Sequence, residues 1–144
     1  MSTKWDHRYL DMAMGVAQWS KDPSSKIGAV AVGNKGQVLA QGFNGFPRNI
    51  KDEPSRLTDR ETKYKFMIHA EMNAIYNATY NGVSLDGATL YVHGLPCCAN
   101  CALGVIQVGI KRVVMRGKPK PQWEESFEMM KQLFNESNVE WEIL

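Results

Sequence analysis

Apolar residues recur every three or four positions over residues 5–20, at Trp5, Tyr9, Met12, Ala13, Val16 and Trp19, which predicts one stripe of an amphipathic helix. The run Lys21-Asp22-Pro23-Ser24-Ser25 breaks it. Residues 27–32 are small and apolar without interruption, Gly33-Asn34-Lys35-Gly36 is a tight turn, and residues 38–43 resume the run, so the two halves predict a β-hairpin. Over 44–65 the pattern disappears. This stretch is dense in Pro, Asp and Arg, too polar for a core and longer than most connections, which predicts a functional loop where substrate contacts sit. Periodicity returns as a helix over 69–80 ended by Asn81-Gly82, a short buried strand over 88–92 and a helix over 98–108 stopped by Gly109. A strand over 110–115, a helix over 123–135 and a strand over 139–143 complete the chain. The order α-ββ-α-β-α-β-α-β predicts an α/β fold. Strands separated by helices become parallel neighbours, joined to the antiparallel hairpin in one five-stranded mixed sheet with helices on both faces. No repeat or second domain interrupts the pattern, so one domain over 1–144 is expected.

Composition narrows the partners. Apolar residues make up 44% and charged residues 22% of the 144, the balance of a folded globular chain. A net charge of only +2 does not make the broad basic face that a polymeric nucleic acid requires. The surplus is local: residues 48–65 hold six basic side chains against four acids, a balance as large as the whole chain's. By itself this reads as a solvated loop or as an anion site. No apolar run reaches the roughly 20 residues that span a bilayer, and the amphipathic start is not a signal-peptide core, so a cytoplasmic protein without a membrane partner is expected. Cys97, Cys98 and Cys101 crowd within five positions, the wrong spacing for a disulfide framework and a suitable one for metal binding.

Two segments carry the chemistry: His69-Ala70-Glu71 opens one predicted helix, and Pro96-Cys97-Cys98-Ala99-Asn100-Cys101 opens another. Each is weak alone, but together they match the zinc deaminase signature of H-x-E followed by P-C-x-x-C. Residues two apart point to opposite sides of a helix, yet at its N-terminus both reach over the first turn. Two such N-termini facing one point would lower thiol pKa values and favour thiolates around a cation. With His69, Cys98 and Cys101 as metal ligands, the fourth tetrahedral position stays open for water, the mark of a catalytic zinc. Glu71, not needed as a ligand, is the expected catalytic acid and base. A zinc that only staples the fold would need a closing ligand such as Cys97 or His93. The extra Cys97 leaves two registers open, Cys98 with Cys101 or Cys97 with Cys101; the spacing to Gly109-Ile110 favours the first.

With these residues the chain resembles the cytidine and deoxycytidylate deaminase family, and within it the dCMP-acting branch, from Trp5 to about Met115. Similar features are Asp22-Pro23-Ser24-Ser25-Lys26-Ile27-Gly28-Ala29, Gly42-Phe43-Asn44-Gly45-Phe46-Pro47, Lys63-Tyr64, His69-Ala70-Glu71-Met72-Asn73-Ala74-Ile75 and Ile106-Gln107-Val108-Gly109-Ile110. The resemblance implies a cytidine-deaminase-like three-layer α-β-α sandwich and zinc-dependent hydrolysis of dCMP to dUMP and ammonia. It further implies one Zn2+ per chain, because family members with a second structural zinc hold it in an insertion whose ligands this chain lacks. By the same resemblance Asn44 contacts sugar or base, Tyr64 closes over the ring, Ala70 lies against the substrate, and Lys26 and Arg48 are candidates for the 5′-phosphate. A homo-oligomer and regulation by dCTP and dTTP are also implied, and a host cytoplasm if the chain is phage-encoded. Other readings stay open: another cytosine substrate (deoxycytidine, dCTP or a modified dCMP), or a catalytically silent sensor of dCTP or dTTP. The helical methionines read as core filling rather than as a soft-metal site.

Overall fold

A computed structural model of the chain describes residues 3–144; Met1 and Ser2, the first positions of the amphipathic start, lie outside the described residues. Helix α1 spans Lys4–Ala17 and begins with a capping box, in which Thr3 and Asp6 each bond the other's backbone N–H. Its buried face is Asp6, Leu10, Ala13, Val16 and Ala17, whereas Trp5, Met12 and Trp19, expected in the apolar stripe, are exposed. The charged Asp6 conceals the true stripe: it is buried against a bidentate partner, Arg112, at 2.9 Å to each carboxylate oxygen. Hydrophobicity alone therefore places the helix but rotates its face.

Strands β1 (Gly28–Val32) and β2 (Val38–Phe43) form the antiparallel hairpin, with a bulge between Ala31 and Val32. Strands β3 (Thr89–His93), β4 (Arg112–Arg116) and β5 (Glu140–Ile143) follow. The sheet order is β2-β1-β3-β4-β5; β1 runs antiparallel to both neighbours, while β3, β4 and β5 are mutually parallel. This is the five-stranded mixed sheet expected from the sequence. Alternate residues of the central strands feed two cores. Val30, Val32, Tyr91 and Val114 meet Leu10, Ala13 and Val16 of α1 on one face. Ala29, Ala31, Leu90, Val92, Val113 and Met115 face the other way, where helices α4 (Ala70–Tyr80), α5 (Ala99–Gln107) and α6 (Glu124–Ser137) cover them. The layers are thus helix, sheet and helices.

The stretch over 44–65, expected as a loop, holds two short helices, α2 (Pro54–Thr58) and α3 (Arg60–Phe66). Five and seven residues are too few to show an apolar period, and only Pro54 at the first helical position signals them. One 3-10 turn, Pro121–Trp123, precedes α6. Two glycines set the helix-to-sheet distance. A Cβ on Gly28 would stand 2.0 Å from Ala13 O in α1, and one on Gly42 would stand 2.4 Å from Ala74 N in α4. Helix α4 therefore lies directly on β2, which fixes where its N-terminus points. Among the described residues no helix is long and apolar enough to cross a membrane.

Candidate active site

His69 is the N-cap residue of α4 and Cys98 the N-cap residue of α5, each in extended backbone conformation. Both helices therefore start at one place beyond the ends of the parallel strands. His69 Nδ1 lies 3.4 Å from Cys98 Sγ and 3.5 Å from Cys101 Sγ, and the three donor atoms lie within 4.8 Å of one another. Cys98 Sγ also accepts the Cys101 N–H, at 3.5 Å. Cys97 takes no part: its thiol donates to Cys98 O at 3.4 Å and its backbone N–H meets Met115 Sδ in the core. The geometry thus groups Cys98 and Cys101, rather than Cys97, with His69.

One nitrogen and two sulfurs are the donor set of a catalytic zinc. Bonds of about 2.0 and 2.3 Å at a tetrahedral angle place nitrogen and sulfur about 3.5 Å apart, the spacing this cluster has. The three side chains therefore fit one metal ion.

The donor groups perturb one another. A hydrogen bond from Cys101, helped by the His69 ring, holds the Cys98 thiol well below its usual range; the same bond pushes Cys101 up. His69 is raised, chiefly by its contact with Cys98. Glu71, 3% exposed in the first turn of α4, is pushed up to about 7, first by burial and then by the nearby Cys98 charge. Burial likewise pushes the Cys97 thiol up, so it stays protonated.

His69, Glu71, Cys97 and Cys98 line a pocket whose walls also include Asn44, Tyr64 and Ala70; Cys101 lies buried behind Cys98. Two expected phosphate contacts are placed elsewhere. Lys26 is exposed and does not line this pocket. Arg48 bonds Asn77 Oδ1 at 2.6 Å and lies over the Tyr80 ring, at the edge of a separate groove beside Phe46 and Tyr76. Asn44 is buried and engaged: Oδ1 accepts from Ile27 N–H at 2.9 Å, and Nδ2 donates to Ser25 O and Asp22 Oδ2.

Several pocket residues had no role assigned from the sequence. Asp22 and Lys63 form a buried ion pair at 3.1 Å. Ser25, Lys120, Trp123 and Phe127 also line the pocket, with Lys120 donating to Ser25 Oγ. Trp123 meets the His69 ring edge-on at 6.2 Å between centroids and Tyr64 likewise at 6.3 Å. The Lys63-Tyr64 pair marked Lys63 without giving it a partner, and Lys120 and Trp123 carried no motif at all.

Residues 3–116 match the family model described as the cytidine and deoxycytidylate deaminase zinc-binding region. An uncharacterized deaminase of Aliivibrio fischeri is 36% identical over 143 residues, covering 97% of this chain and 93% of that one. The deoxycytidylate deaminase of Mus musculus is 37% identical over 128 residues, covering 85% and 70%. Among solved structures, the dCMP deaminase of cyanophage S-TIM5 in complex with dCMP and dUMP aligns with a TM-score of 0.79 at 28% identity, covering 100% of this chain and 99% of that one.

Proposed function

The chain belongs to the cytidine and deoxycytidylate deaminase family, and we propose that it hydrolyses the exocyclic C–N bond of dCMP, giving dUMP and ammonia. The observation that carries this reading is a buried Glu71 that lines the same pocket as His69 and Cys98, two members of a His69, Cys98 and Cys101 cluster of zinc geometry. The mouse and cyanophage proteins described above support dCMP as the substrate.

His69, Cys98 and Cys101 would hold the zinc, which when bound supplies the Lewis acidity that makes water nucleophilic near neutral pH. Glu71 accepts a proton from the attacking water and returns it to the substrate. One water proton ends on the ring nitrogen, the other leaves with the amine as ammonia, and the oxygen stays on the ring carbon. A carboxyl group with a pKa pushed up to about 7 suits both directions of transfer. Tyr64 and Trp123 form the aromatic wall against which the ring lies. Ala70, small and buried, leaves room for the ring beside His69. Asn44 has both N–H donors engaged and one Oδ1 lone pair taken by Ile27, which leaves a second lone pair for a sugar hydroxyl.

The same reading extends to one deaminase domain over 1–144, a homo-oligomer, a cytoplasmic place of work, and dCTP and dTTP as regulators. The sequence resemblance supports these, and sedimentation with and without the two triphosphates tests assembly and regulation. The substrate is tested by ammonia release from the zinc-loaded protein with equal concentrations of dCMP, CMP, deoxycytidine and dCTP. Preference for dCMP is expected. Preference for another cytosine compound would move the substrate while keeping the chemistry, and silence on all four would overturn the reading.

A further inference from the structure

Three cysteines surround the start of α5, and the metal cluster uses two of them. With Cys98 as the first cysteine of the P-C-x-x-C signature, Cys97 occupies the position that the signature gives to proline. Proline has no polar hydrogen to offer, whereas cysteine brings a thiol, so this chain places there a donor that the signature lacks. The thiol is also held in place. Its residue is 1% exposed, the Cys97 N–H meets Met115 Sδ of β4 at 3.3 Å, and Sγ lies 3.4 Å from Cys98 O. Cys97 is therefore tied to the sheet through its backbone and to the metal-binding turn through its side chain.

The same thiol borders the carboxylate of Glu71, which comes from another helix, α4. Both side chains are almost fully buried, and both residues line the pocket. A carboxyl group that moves protons between water and substrate has a directional task. One oxygen must face the reacting atoms, yet the last torsion of a glutamate is soft and roughly two-fold, so a second contact is needed to fix it. A donor on the other oxygen supplies that contact. The thiol is a weak donor, and Cys98 O gives it an alternative acceptor while Glu71 carries the proton.

We infer that Cys97 is a positioning residue of the deamination: its thiol donates to one Glu71 oxygen and aims the other at the reacting atoms. The inference rests on the deaminase reading above. It gives Cys97 a task apart from metal binding and from core filling, and one that a proline at the same position could not perform.

Zinc loading makes the test specific, because it engages Cys98 and Cys101 and leaves Cys97 with the one free S–H among the three cysteines. The S–H stretching band in the infrared spectrum then reports Cys97 alone. In Glu71→Ala this band should move to higher frequency, the direction expected when an S–H hydrogen bond weakens; an unmoved band would overturn the inference. Cys97→Ala should lower kcat for dCMP about tenfold, with KM, dUMP binding by calorimetry and zinc content within about twofold of wild type. Cys97→Ser, which puts back a hydroxyl donor, should recover most of the loss. Cys97→Val fills the space without a donor and takes the place of Cys97→Ala if that variant does not fold. In a Glu71→Gln background Cys97→Ala should cause no further loss, because both changes act through one carboxyl group. Unchanged kcat in the variants without a donor, a loss that serine does not restore, or the same loss in both backgrounds would reduce Cys97 to packing and overturn the inference. A protein silent on every cytosine compound, with the band shifted in Glu71→Ala, would sink the deaminase reading and keep the contact. Turnover of dCMP with an unmoved band and a kcat indifferent to Cys97 would do the reverse.

Discussion

At the scale of single residues, Glu71 and Cys97 show how neighbouring side chains acquire opposite roles from their surroundings. Glu71 is deeply buried in the first turn of α4, yet it lines the pocket, so its raised pKa is available to a reacting proton. Replacing it by Gln keeps the shape and removes the proton exchange. Glu71→Gln should therefore retain zinc, measured by atomic absorption, while ammonia release falls by at least about a hundredfold. Wild-type turnover in that variant would refute the shuttle role. Cys97 and Cys98 are adjacent in sequence, but only Cys98 touches His69; the Cys97 thiol bonds Cys98 O and neighbours the Glu71 carboxylate. Cys98→Ala should lose stoichiometric zinc and Cys97→Ala should keep it; the opposite result would shift the ligand register by one residue. The motif exposed Glu71 to sequence reasoning because its spacing from His69 is local. The spacing to Gly109-Ile110 favoured Cys98 over Cys97, and the contact of Cys98 with a histidine 29 residues earlier agrees with it.

At the scale of elements, the site exists because two helix N-termini converge, and their convergence depends on close packing against the sheet. Gly42 is the point where α4 touches β2, and the atoms a Cβ would meet there belong to the α4 backbone and cannot rotate away. Gly42→Ala should destabilise the fold by about 3 kcal/mol, read as a fall in denaturation midpoint, and should weaken zinc binding because His69 moves with the helix. Unchanged stability would mean that α4 can lift from the sheet without cost. A metal bound by His69 on α4 and by Cys98 and Cys101 on α5 also links the two helices. Chelation should accordingly lower the melting temperature of the zinc-loaded protein, with full recovery on readdition of zinc. Helices of eleven and nine residues displayed their period in the sequence, whereas α2 and α3 were too short to do so.

At the scale of the whole molecule, the far face of the sheet is held by an ion pair with no part in the chemistry. The Arg112 guanidinium beside Asp6 holds its carboxyl at about 2, and the Tyr91 hydroxyl, donating at 2.7 Å, helps. Because the folded value lies below the unfolded one of about 4, the contribution is fully present above pH 4 and is lost as pH falls through 2. Its size is on the order of 2 kcal/mol at neutral pH. Asp6→Asn should flatten the decline of stability between pH 4 and pH 2 in denaturant titrations; an unchanged acid limb would show that Asp6 is not the group responsible. This pair spans 106 residues of chain and joins α1 to β4. Hydropathy gave no hint of it, since a charged residue on a core face looks like an interruption.

The sequence by itself determined the order of elements, the mixed sheet and the chemistry of the H-x-E and C-x-x-C segments. Each is written in spacings of two to four residues, the range over which backbone geometry relates side chains directly. The buried face of α1, the contact of Cys98 and Cys101 with His69, the Asp22 and Lys63 pair and the entry of Lys120 and Trp123 into the pocket came with the folded chain. Those features join side chains 29 to 106 residues apart. Their partners are chosen by how helices close on the sheet, and no local period records that choice.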